Sequence, residues 1–148
     1  MQTNKSIQIS STILLIITIL GLIYALLAAI MPQFFVARAF QSYAQQSWAS
    51  FSEAHAHAAS YVLILKRMVG VAGFGLSLGG IFILMTAYKK GQRWAWFCML
   101  IISLIGWSNP LFSNIATHNV PAIFVCACGL MLMVIGLLIP VKAFFSKE

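Results

Sequence analysis

The run Ser11–Ile30, STILLIITILGLIYALLAAI, constrains this chain more than any other feature, because it holds no charge. About 20 apolar residues are needed to cross a ~30 Å hydrocarbon core as a helix. Three further runs approach that requirement: 61–88, 94–112 and 121–139. Backbone groups in lipid must find their partners inside the segment, which leaves helices or closed barrels. The runs lack the alternation of barrel strands. The sequence therefore predicts an all-α, integral-membrane four-helix bundle, with residues 1–148 as one transmembrane domain.

Charge supports that reading and excludes others. Only 7% of residues are charged, far below the roughly one quarter of a soluble domain. The net charge of +7 raises nucleic-acid binding, but the basic residues are scattered among apolar runs rather than gathered on a polar face. The first run is too long for the ~7–15-residue core of a signal peptide, so it is expected to remain as a span. Lys5, Lys89, Lys90, Arg93, Lys142 and Lys147 fall on one side of an even-span protein, and Arg38, Lys66 and Arg67 on the other. By the positive-inside rule both termini are expected in the cytoplasm.

The long connection after Pro32 is not featureless. Val36, Ala37, Phe40, Tyr43, Ala44, Trp48 and Phe51 recur at helical spacing, while Arg38, Gln41, Ser42, Gln45 and Gln46 take the opposite side. This predicts one amphipathic helix over 36–51, either lying in the membrane interface or packed as a cap over the bundle. Trp94 and Trp96 suit an aromatic belt at the inner face, and Trp107 one at the outer face. Asn109-Pro110 is expected to open a turn. The tail after Pro140 is expected on the inner surface. In span two, Gly75 and Gly79 form a GxxxG pair, for packing within the bundle or against a second copy.

Few side chains offer chemistry. Lys66 lies 22 residues before Tyr88, about 33 Å at ~1.5 Å per residue, so it and Arg67 reach the outer headgroup level. There they can anchor the helix by snorkelling or hold an anionic ligand, with Trp48 and Tyr61 as neighbours. Tyr61–Leu65 is apolar beyond that charged pair, which implies a protected place under the outer helix. Glu53 and His57 share a helix face, and His118 lies on the same outer side; together they would make a minimal metal set, against a plain solvated rim. His55 is two residues from each and points elsewhere. The i, i+2 cysteines Cys126 and Cys128 point apart on a helix, and Cys98 is distant in sequence, so they read as packed thiols. No cofactor motif or catalytic set appears, so a non-enzymatic protein is expected.

The string Tyr88-Lys89-Lys90-Gly91-Gln92-Arg93-Trp94-Ala95-Trp96 resembles a turn between spans two and three of small bacterial four-span proteins. The layout over most of the chain is similar to the DoxX-like group of small four-helix membrane proteins. That resemblance implies a bacterial membrane setting. Some DoxX-like proteins are linked to quinone or redox complexes, but no residue here matches a site that carries such a role over. Two functions remain: a module that binds membrane lipids, a lipid-like ligand, a membrane partner or another copy; or a small-solute transporter or accessory redox subunit. Transport needs polar side chains or broken helices at mid-membrane, for which Ser77, Thr86 and Ser103 are meagre material.

Overall fold

A computed structural model describes residues 5–145. It is all-helical, with no strand among the described residues. Its helices are α1 (Lys5–Ile30), α2 (Pro32–Ala44), α3 (Trp48–Ala54), α4 (Ala56–Ile83, continued by a π-helical turn Leu84–Tyr88), α5 (Arg93–Ala116), α6 (Val120–Leu138) and α7 (Val141–Phe145). Four of them are long and apolar enough to cross a membrane: α1, α4 with its π turn, α5 and α6. Packing runs α1–α4, α4–α5, α5–α6 and α6–α1, an up-down-up-down ring in which each neighbour is antiparallel. The outward faces carry large apolar side chains; Phe82, Phe112 and Phe124 are 69%, 74% and 72% exposed. Polar residues of the long helices turn back on their own backbone, with Thr86 Oγ1 donating to the Phe82 carbonyl at 2.7 Å and the buried Ser103 Oγ to that of Met99 at 2.6 Å.

The end carrying Lys5 and Phe145 is closed by side chains that cap α6. Pro140 has no N–H to offer the carbonyl of Gly136, four residues before it. Ser10 Oγ donates to that carbonyl instead, at 2.5 Å. A serine hydroxyl has one proton. Tyr88, 2.7 Å away, must therefore donate its phenolic proton to Ser10 Oγ. The π turn places Tyr88 there, fully buried, with its ring on Phe144 at 4.9 Å. Trp96 Nε1 donates to the Leu137 carbonyl at 2.9 Å, and Arg93 Nε to that of Phe144 at 3.0 Å. Trp96 thus caps a helix, while Trp94 is exposed and reaches Gln92 Oε1 at 2.8 Å. The tail also departs from expectation: Phe144 is buried in the bundle rather than laid on its surface. Gly91 makes the turn into α5 at φ 73°, a conformation without steric cost for glycine. Of the basic residues assigned to this end, Lys147 lies outside the described residues.

The expected turn at Asn109-Pro110 does not form. α5 runs through Pro110 to Ala116. An internal proline costs about 3 kcal/mol. Leaving the helix in apolar surroundings would strand more backbone groups than the one bond lost. Nearby side chains bond back on the same helix, Ser108 Oγ donating to the Leu104 carbonyl and Asn114 Nδ2 to that of Pro110 at 2.7 Å. The reversal comes later, where His118 takes φ 53° and the Asn119 N–H reaches the Asn114 carbonyl at 3.0 Å. Trp107 packs against α6, its ring covering Gly129 so closely that an added Cβ would meet it at 2.2 Å.

Candidate functional site: the far end of the bundle

The site is built on the excess length of α4. With its π turn it has 33 residues, about 50 Å at ~1.5 Å per residue, against a ~30 Å hydrocarbon core. Its first turns, from Ala56, stand clear of the other long helices, and α2 and α3 pack on them. This starts earlier than the expected 61, and it gives Val62 and Leu63 the protected surroundings that their apolar character implied.

The outer helix is two helices, not one over 36–51. Gln45 closes α2 in the left-handed region at φ 52°, its N–H bonded to the Gln41 carbonyl. Ser47 opens α3, accepting from the Ser50 N–H at 3.1 Å. In one straight helix Phe40 and Trp48 would be separated by about 12 Å along the axis. The break brings their rings to 5.3 Å, and Phe51 to 4.6 Å from Phe40. Val36, Trp48 and Ala59 are the buried heart of this second small core, with Ala37, Phe40, Phe51, Val62 and Leu63 around them. The apolar stripe was legible in the sequence; the fold-back that pairs its two halves depends on contact with α4.

Between the helix pair and α4 lies a cleft of about 250 Å³, lined by Gln33, Trp48, Ser52, Ala56, Ala59, Ser60 and Leu63. Gln33 and Ser52 set polar groups against Trp48 and the small residues of α4. Ala56, Ala59, Ser60 and Leu63 follow the i, i+3, i+4, i+7 pattern of one helix face. Continued by three residues, that face reaches Lys66, and by seven, Gly70. Gly70 is the point where α4 meets α1 most closely: an added Cβ would lie 2.5 Å from the Ala29 backbone nitrogen. Lys66 sits between that contact and the cleft. Its ammonium is 5.8 Å from the centroid of Tyr24 on α1 and 5.7 Å from that of Phe35 on α2. Those two rings meet edge-on at 5.0 Å.

The expected site residues are distributed unevenly around this geometry. Trp48 lines the cleft and Lys66 flanks it, whereas Arg67 is exposed and Tyr61, 62% exposed, is absent from the lining. Gln33, Ser52 and Ser60 escaped sequence reasoning because nothing local distinguishes them from any polar loop residue. Glu53, His57 and His118 do not converge: among the described residues no group of three such side chains can hold a metal ion. His118 serves the α5–α6 reversal, and His55 stacks on Phe51 at 5.2 Å. Gly75 and Gly79 face open space, with nothing within 4 Å of an added Cβ. Packing within the bundle uses Gly70, Gly73 and Gly80 instead, against Ala28–Ala29, Ala25 and Thr18. Cys126 is buried, with Asn114 Nδ2 at 3.8 Å from its sulfur; Cys98 and Cys128 are half-buried, and all three are free thiols. Compared with family models, with curated proteins and with solved structures, the sequence and fold give no match.

Proposed function

We propose that this chain is a non-enzymatic, four-span integral membrane protein whose far end takes up part of a lipid-like ligand between the α2–α3 pair and α4. The observation that carries the reading is the cleft bounded by Gln33, Trp48, Ser52 and Ser60. Lipid is the solvent that the exposed Phe82, Phe112 and Phe124 call for. The gathering of basic residues near the Lys5–Phe145 end supports a reading with that end in the cytoplasm, the cleft on the outer side, and the chain in a bacterial inner membrane. An aromatic side chain, small helix residues and polar groups line the cleft together, a mixed surface that suits an amphipathic ligand. Thr86 and Ser103, both bonded to their own helices, supply no polar path for a solute.

The test is purification from native membranes followed by mass spectrometry of co-purifying lipids. Ser60 is exposed at the cleft, so Ser60→Trp fills it without entering the core. The wild-type protein is expected to retain lipid, and Ser60→Trp to retain several-fold less at unchanged helix content. Equal retention by the two proteins would sink the cleft reading.

A further inference from the structure

The ammonium of Lys66 is held but not neutralised. Two aromatic rings fix it on one side, at distances suited to cation–π attraction. Among the described residues it makes no hydrogen bond and no ion pair, and its nitrogen stays accessible, since no buried nitrogen or oxygen lacks a partner; the one described carboxylate, Glu53, belongs to α3. A lysine has three N–H donors, and rings satisfy none of them as an oxygen would. Half-buried, it loses part of its hydration without gaining an acceptor. Its position along α4 adds depth to this description, since the helix face that lines the cleft continues directly into it. The thiol of Cys126 lies within electrostatic reach on α6 but is neutral in its ordinary state and bonded to Asn114.

We propose that Lys66 is the anchor for an anionic phosphate headgroup, whose polar remainder occupies the cleft of Gln33, Ser52 and Ser60. The inference rests on the cleft reading above and names its ligand class. The rings of Tyr24 and Phe35 restrain the long side chain beside the cleft, so that holding a ligand costs it less rotamer freedom. A phosphate oxygen accepts the charge-assisted bonds that no protein oxygen supplies. Exposed Ile30, Met31 and Phe34 at the α1–α2 junction give acyl chains an apolar surface beside those rings.

The experiment places full-length protein in nanodiscs of phosphatidylcholine with a minor fraction of phosphatidylglycerol and reads retained lipids by native mass spectrometry. The wild-type protein is expected to retain phosphatidylglycerol in preference to phosphatidylcholine. Lys66→Gln is expected to reduce that preference about tenfold, the scale of a hydrogen bond to a charged group, and Lys66→Arg to keep it. Inorganic phosphate in the buffer separates the sources. If it displaces the retained lipid, the site takes free phosphate as well; if it does not, the lipid headgroup is the ligand. An unchanged preference in Lys66→Gln overturns the headgroup assignment and leaves the cleft reading standing. Unchanged total retention in Ser60→Trp overturns the cleft reading itself.

Discussion

Gly70→Val is expected to destabilise the bundle by about 3 kcal/mol or more, the upper end of what overpacking costs. Gly79→Ala is expected to leave the bundle as stable or to stabilise it by up to about 1 kcal/mol, the helix-propensity difference between the two residues. The difference lies in what a Cβ meets. At Gly70 it would lie 2.5 Å from the Ala29 nitrogen and 2.9 Å from the Ala28 carbonyl carbon, both backbone atoms. A backbone cannot rotate aside as a side chain does, so α1 and α4 would have to separate. Their contact is the most extensive between any two helices, and it also positions Tyr24 beside Lys66. At Gly79 there is open space. Unfolding in detergent, followed by circular dichroism, gives both numbers. Equal stability for Gly70→Val and wild type would mean that the two helices are not in contact at this level.

The second large effect belongs to Ser10→Ala. We expect a loss of about 1–3 kcal/mol, the cost of leaving a buried polar group without its partner. Tyr88→Phe is expected to cost less, about 1 kcal/mol, the net worth of one ordinary hydrogen bond. The asymmetry follows from the direction of the bonds. Removing the Ser10 hydroxyl strands two groups together: the Tyr88 phenol, which donated to it, and the Gly136 carbonyl, which Pro140 cannot serve. Removing the Tyr88 hydroxyl leaves Ser10 still donating to Gly136. Thermal unfolding of the two variants under one detergent condition tests the order. A larger loss for Tyr88→Phe than for Ser10→Ala would refute the assigned directions.

These residues also mark how far a linear reading reaches. The GxxxG spacing of Gly75 and Gly79 is a genuine sequence pattern, yet spacing alone does not say which side of a helix its neighbours occupy. Gly70 lies five residues before Gly75, on a different face, and α1 meets it, with Gly73 and Gly80, rather than the GxxxG pair. Ser10 and Gly136 are separated by most of the chain, so their bond has no local signal. Pro140 could have raised the question of who caps Gly136, but not answered it.

At the candidate site the split is similar. Apolar residues from Val36 to Phe51 foretold an aromatic face, whereas of Tyr61–Leu65 only Val62 and Leu63 are sheltered and Tyr61, Ile64 and Leu65 are exposed. The Ser47 cap and the left-handed Gln45 are weak local signals beside a strong apolar stripe, so a single helix was the natural expectation. The break brings Trp48 back over Phe40 and opens the cleft beside α4.

By itself, the sequence determined the four long apolar helices, their order and the separation of basic residues between the two ends. Those properties follow from length and hydropathy, which act residue by residue. Only the tertiary structure decided that α5 passes through Pro110, that Gly70 rather than Gly79 joins the helices, and that Lys66 rests between two rings with no acceptor. Each of these depends on which groups meet across the bundle, where distance in space no longer follows distance along the chain.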